Sequence, residues 1–150
     1  MKATLSRQSD LEIDVEDTAH LILGFVPNDD GHRLIGTLNM DFIRHDAVRL
    51  CVAIGKDGSL RWNGLTGVVE HLEAGSKEWR EIFCHQNQRD ESYRAEWQHF
   101  LACVKEQSAP LVSGDDGLRV MQIIEAARQA SESGGQVRVA MKPANTEIDA

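Results

Sequence analysis

The feature that most constrains this chain is a change of hydrophobic period about two-thirds of the way along it. Up to about residue 84 the apolar side chains recur every second residue, and beyond residue 90 they recur at helical spacing. Period two means a strand with two distinguishable faces, and a period near 3.6 means a helix with one apolar stripe. Ala19, Leu21, Leu23 and Phe25 alternate with Thr18, His20, Ile22 and Gly24. The turn cluster Pro27-Asn28-Asp29-Asp30-Gly31 follows. Leu34, Gly36, Leu38, Met40 and Phe42 then alternate with Arg33, Ile35, Thr37, Asn39 and Asp41, so the pair reads as a hairpin. Val48, Leu50, Val52 and Ile54 form a third run, turned by Gly55-Lys56-Asp57-Gly58 into a strand with Leu60 and Trp62. Asn63-Gly64 is a type I′ turn signal, because both central positions of that turn need positive φ. A short strand over Val68 to Leu72 and an edge strand within Trp79 to Cys84 complete this part.

Tyr93, Trp97, Phe100, Leu101 and Val104 then mark one face of an amphipathic helix, with Trp97 expected in the core. Ser113 is placed to cap a second helix, with Asp115 and Asp116 at its positive end and Val120, Ile123, Ile124 and Ala127 along its stripe. Gly134-Gly135 stops it, and Val137 and Val139 suggest one closing strand. Strands first and helices late predict an α+β fold, a mostly antiparallel open-faced sheet with two C-terminal helices packed on one face. With no linker or internal repeat, the reading is one domain over 1–142 and a flexible tail over 143–150.

Charge and cysteine usage narrow the partners. A net charge of −8 repels phosphate backbones and anionic lipid, which argues against nucleic acid and membrane surfaces. No apolar run is long enough to span a bilayer, and the first residues do not read as a signal peptide. Cys51, Cys84 and Cys103 are scattered and odd in number, which fits a reducing cytoplasm better than a disulfide framework.

Four stretches, in order, resemble one family. Leu11 to Ala19, "LEIDVEDTA", is similar to the "V-E-D-T-A" strand entry of the Gfo/Idh/MocA oxidoreductases, the family of glucose–fructose oxidoreductase and inositol dehydrogenase. "GKDGSLRW" from Gly55 to Trp62 resembles its short hairpin, and "EWQHFLACV" from Glu96 to Val104 its late helix. "PLVSGDDGLRVMQIIEAA" from Pro110 to Ala127 resembles its terminal loop and helix, with Gly135 to Val139 as its last strand. The resemblance implies the C-terminal, dihydrodipicolinate-reductase-like domain of an NAD- or NADP-dependent sugar or polyol oxidoreductase. It implies a substrate-side and oligomerising role beside a separate N-terminal Rossmann domain.

That Rossmann half is not legible in these residues. The chain has no Gly-x-Gly, so the tight turn that lets a backbone approach a pyrophosphate is missing. The family's catalytic Glu-Lys-Pro does not occur; Met141-Lys142-Pro143 follows the last strand and does not correspond to it. No catalytic residue and no cofactor is therefore expected in this chain, and NAD or NADP belongs to a full-length enzyme. Asp41 and His45 share one side of a strand end but lie about 13 Å apart by strand rise, too far to act as a pair. Arg44-His45 stands at the strand end where the family often has Arg-Pro after an aromatic, and Arg44, His45 and Arg49 are the candidates to grip a sugar or nucleotide sugar. His99 and Cys103 have a metal-compatible helical spacing but need two more ligands, so no metal is assigned. Trp62, Trp79 and Trp97 are candidates for a sugar-stacking shelf.

The second face of the sheet carries Ile22, Ile35, Thr37, Cys51 and Ala53. No further helix is available to cover it, so it is expected to be a homo-oligomer contact. The alternative is a stand-alone self-associating scaffold or sugar-binding module derived from the same domain.

Overall fold

A computed structural model describes residues 1–86 and 88–140. In chain order the elements are β1 (Lys2–Ser6), β2 (Thr18–Gly24), β3 (Ile35–Asp41), β4 (Leu50–Gly55), β5 (Gly58–Asn63), β6 (Val68–Glu73), β7 (Arg80–Cys84), α1 (Glu91–Glu106) and α2 (Gly114–Ser133). The fold is α+β, and every strand pairing is antiparallel. The ladders form two sheets, β1-β2-β3 and β4-β5-β6-β7. The described residues group into two compact units: Met1–Arg44 with the segment from Leu111 onward, and His45–Pro110. The tail expected at 143–150 lies outside the described residues.

The first unit holds the buried core. Cross-strand partners share a sheet face, and the register sets Leu21 opposite Ala3 and Leu38, and Ala19 opposite Leu5 and Met40. Against this face lie Ala126 and Ala127 of α2; Ala130 of the same helix is fully buried. Alanines let the helix backbone come close to the sheet. The polar link between the two elements is Ser131, whose Oγ accepts from Leu5 N–H at 2.9 Å and occupies a backbone donor of β1. The start of α2 follows its sequence signals. Ser113 Oγ accepts from Asp116 N–H at 3.2 Å, and Asp116 Oδ2 accepts from Ser113 N–H at 2.9 Å, a reciprocal capping box. Gly134 ends the helix at φ 63°.

Two parts of this unit differ from the sequence expectation. Strand β1 lies in a segment that carries no clear alternation. The closing strand at Val137 and Val139 is reduced to one reciprocal pair of bonds, Met1 N to Val137 O at 2.7 Å and Val137 N to Met1 O at 2.9 Å. Both valines still pack on the core.

The most demanding group is Asp17, at 1 % exposure. Its carboxylate accepts from Ser9 Oγ (2.7 Å), Ser9 N–H (2.8 Å), Gln8 N–H (3.0 Å) and Thr18 Oγ1 (2.9 Å). Its backbone continues the network, donating to Ser6 O and accepting from Phe42 N–H. The Ser9 hydroxyl above all, with the Gln8 and Ser9 amides and the Thr18 hydroxyl, outweighs desolvation and holds the carboxyl at about 2.

The second unit is a four-stranded meander with no buried core. Among its described residues only Gly67 is buried. β4 is exposed along its whole length, and α1 has no buried residue. Trp97, expected in the core, is 61 % exposed and stacks on Phe100 at 5.4 Å between ring centres. The β5–β6 connection also corrects the type I′ expectation. Asn63 Oδ1 accepts from Leu65 N–H and Thr66 N–H, so the asparagine side chain organises a longer turn. The positive φ falls on Gly67, at 73°, rather than on Asn63 or Gly64. Gly67 also accepts from His85 N–H, and a Cβ there would collide with the His85 carbonyl oxygen.

The folded pKa of Asp17 lies below the ordinary 3.8, so its contribution is complete above that value and is lost as pH falls through 3.8 toward 2. Asp17→Asn should lower Tm by roughly 5–10 °C at neutral pH and by much less near pH 3; thermal melts at the two pH values check this, and an equal loss at both would refute it. Gly67→Ala should cost at least ~2 kcal/mol in urea unfolding.

Candidate functional site

Three places carry the side chains that sequence reasoning singled out, together with one set that it passed over. The first is the irregular backbone between Asp41 and Leu50. Arg44 N–H donates to Asp41 Oδ1 at 2.9 Å, which fixes the chain where it leaves β3. Arg44 belongs to the first unit and His45 to the second. Arg49 lies with its guanidinium carbon 5.4 Å from the centre of the Trp62 ring, and its carbonyl accepts from Gly64 N–H at 2.7 Å. Arg49 is thus held against an indole by cation–π attraction.

The second place is the opposite face of the β4–β7 sheet. Arg61 and Glu70 are cross-strand partners, and Arg61 Nε donates to Glu70 Oε2 at 2.7 Å. The same guanidinium covers Trp79 at 4.4 Å from the ring centre. The hydrogen bond to Arg61 holds the Glu70 carboxyl below its ordinary value, against desolvation. Since residues 61 and 62 point to opposite faces, Trp62 and Trp79 each belong to an arginine on a different side. With Trp97 on α1, the three indoles do not make one stacking shelf.

The third place is α1, where Cys103 Sγ stands 3.5 Å from His99 Nε2. His85, on the connection into α1, pairs with Glu91 at 3.2 Å. Among the described residues no three metal-binding side chains gather.

The set passed over is on β1, β2 and β3. Sequence reasoning assigned His20 no role, yet the register places it between Thr4 and Asn39. Its Nδ1 lies 2.8 Å from Asn39 Oδ1, an oxygen that can only accept, so Nδ1 is the donor of this pair. Lys2, Thr4, His20, Thr37, Asn39 and Ser131 border an open depression of about 490 Å³. The hairpin alternation already held the signal, since it sets His20 and Asn39 on the face away from Leu21. This surface offers hydrogen bonds of both senses, as a polyhydroxylated ligand or a partner surface requires, but no activated nucleophile and no acid–base pair. On the same face Ile22 lies opposite Thr37, and Ile22 and Ile35 are 53 % and 66 % exposed. Cys51 and Ala53 are exposed on β4 in the second unit.

An α+β domain with antiparallel sheets, late helices and no dinucleotide-binding turn in its sequence is the class these observations define. The chain belongs to the Gfo/Idh/MocA family, specifically the domain described as "Oxidoreductase family, C-terminal alpha/beta domain", which matches residues 2–139. Among solved structures it is similar to levoglucosan dehydrogenase in complex with NADH, with a TM-score of 0.77 at 17 % identity. The same enzyme with NADH and L-sorbose gives 0.76 at 17 % identity. In both cases the match covers 94 % of this chain and 44 % of the other, so the chain spans less than half the length of those dehydrogenases. No curated protein sequence matches it.

For the ion pair, acidification through the carboxylate range should remove the Glu70 contribution, because its folded pKa is depressed. Glu70→Leu should lower Tm by roughly 2 °C at neutral pH, and Glu70→Gln, which keeps an acceptor, by less. Calorimetry that finds equal losses would show that the hydrogen bond contributes nothing.

Proposed function

We propose that this chain is the substrate-side and oligomerisation domain of an NAD(P)-dependent sugar or polyol oxidoreductase, working beside a dinucleotide-binding domain and inactive without it. The observation that carries this reading is the family match over residues 2–139 in a sequence that contains no Gly-x-Gly. Its similarity to a dehydrogenase solved with NADH, and with L-sorbose, supports the cofactor class and the carbohydrate substrate class.

In this reading hydride transfer, and NAD or NADP itself, belongs to the other domain, and this one shapes the pocket. Arg44, His45 and Arg49 supply hydrogen bonds to the sugar or nucleotide sugar, and the Trp62 ring keeps Arg49 extended for that purpose. Ile22, Ile35, Thr37, Cys51 and Ala53 belong to the surfaces that meet another copy, where exposed isoleucines beside hydrogen-bonding groups suit a subunit contact. The cytoplasm is the compartment proposed, on the strength of three free cysteines, two of them exposed. None of the described helices is long and apolar enough to cross a membrane.

Two measurements test this. The purified chain mixed with NAD or NADP and a panel of polyols should form no NADH or NADPH by near-ultraviolet absorbance, whereas adding a dinucleotide-binding domain from the same family should restore turnover. In that assembly Arg44→Ala and Arg49→Ala should raise KM about tenfold with a smaller change in kcat. Turnover by the chain alone would overturn the assignment. Ile22→Glu with Ile35→Glu should reduce the sedimenting mass, and an unchanged mass would remove that face from the oligomer.

A further inference from the structure

The face carrying Ile22 and Ile35 is not the only surface that asks for a partner. Among the described residues β4 is an edge strand, with β5 as its one neighbour. Which of its backbone groups face outward follows from the register. Gly64 N–H donates to Arg49 O, and Leu50 pairs with Asn63, so position 49 is a hydrogen-bonded site opposite 64. Antiparallel ladders alternate. Cys51, Ala53 and Gly55 therefore turn their N–H and C=O toward β5, and Leu50, Val52 and Ile54 turn theirs away from it.

Sheet edges of this kind are ordinarily guarded by charge, proline, a bulge or a covering element. The other edges have such guards. β7 carries Arg80 and Glu81 and pairs through a bulge at Val69/Glu70. β1 is bonded by Ser131 at Leu5, and Met1 just before it by Val137. β3 contains Gly36 and ends in Asp41. β4, reading Leu-Cys-Val-Ala-Ile-Gly, has no charged residue, no proline and no bulge, and all of it is exposed, Ile54 to 82 %.

We propose that β4 pairs antiparallel with β4 of a second copy of this chain, about a two-fold axis normal to the sheet at Val52. The strand's own sequence selects that occupant. A two-fold axis there brings the outward groups of Leu50, Val52 and Ile54 against those of Ile54, Val52 and Leu50 in the other copy, so each donor meets an acceptor. Leu50 stands beside the other copy's Ile54, and the two Val52 side chains meet, all on one face. On the other face Cys51 stands beside the other copy's Ala53. Apolar and β-branched pairs are favourable neighbours in an antiparallel ladder, and no like charges meet. Moving the axis to Cys51 or Ala53 still sets outward groups against outward ones but leaves Ile54 or Leu50 of each copy beyond the paired ladder. Moving it a further residue leaves two outward residues of each copy unpaired, and an axis between two residues sets outward groups against inward ones. The contact is isologous and closes on itself, so it yields a dimer with the four-stranded sheet doubled rather than a fibre. It is independent of the domain's proposed place in an oxidoreductase and of the Ile22 face.

The register makes a specific cross-link available. Cys51 and the other copy's Ala53 form a non-hydrogen-bonded pair, whose Cα separation of about 4.5 Å lies within disulfide range. In a Cys84→Ser, Cys103→Ser background, Ala53→Cys should give a disulfide-linked dimer under mild oxidation. Adding Cys51→Ser should abolish it, because the two thiols introduced at position 53 are offset along the strands. Val52→Pro removes an outward N–H without touching the β4–β5 ladder; it should halve the sedimenting mass of the full chain while leaving its circular dichroism unchanged. Absence of the cross-link, cross-linking that survives Cys51→Ser, or an unchanged mass for a folded Val52→Pro chain would each overturn the β4 pairing. Loss of mass from the Ile22 and Ile35 variants alone would point to the face and not the edge.

Discussion

A single buried carboxylate organises the entry to the first unit. Asp17 takes hydrogen bonds from Gln8, Ser9 and Thr18, and its own backbone reaches Ser6 and Phe42. It thus ties the end of β1, the loop after it, the start of β2 and the residue following β3. A charge with 1 % exposure is tolerable only because nearly all its lone pairs are occupied by donors. That requirement makes the loop from Arg7 to Glu16 a specific shape. The Leu21 and Ala19 face depends on it in turn, since a one-residue slip of β2 would carry both residues away from α2.

The two units bear this order differently. The first has Leu21, Ala19 and the alanines of α2 in a shared core. The second spends its apolar residues on surfaces: Leu50, Val52 and Ile54 along β4, Trp97 and Phe100 on α1, and Phe83 on β7 are all exposed. Its internal cohesion comes from backbone ladders, the Arg61–Glu70 pair and two arginine–indole contacts. Such contacts at half-exposed positions are weak, and a sheet without a core is marginal by itself. The second unit's apolar side chains are therefore left uncovered by that unit itself.

Much of the architecture is legible in the residue pattern, and the parts that are not have definable causes. Alternation locates β2 through β5 because each of those strands differs in character between its two faces. Ser113, Asp116 and Gly134 mark the ends of α2 because caps satisfy backbone groups locally. β1 is hidden because Lys-Ala-Thr-Leu-Ser has too few large apolar residues to declare a face, and its place is set by pairing with β2. Asn63-Gly64 misleads because an asparagine side chain can organise a turn through its own oxygen without adopting positive φ. Trp97 misleads because an amphipathic stripe tells only that a face wants cover, and here nothing in its own unit buries it.

The candidate site was legible to a lesser degree, for a related reason. Arg44, His45 and Arg49 sit in backbone with no period, so nothing in the sequence says how far apart their side chains fall or which of them another side chain engages; the Trp62 ring beneath Arg49 is a consequence of the β4–β5 register. His20 and Asn39 were derivable from the hairpin but look like ordinary solvated positions until they are seen to share a hydrogen bond beside a depression. In the proposed role these residues need no perturbed acid or base. A domain that positions a sugar for a hydride acceptor held elsewhere contributes orientation, and orientation requires rigid donors and acceptors rather than reactive ones. Arg49 braced on Trp62 and His20 hydrogen-bonded to Asn39 are groups of that kind, and their value depends on the strand registers that hold them.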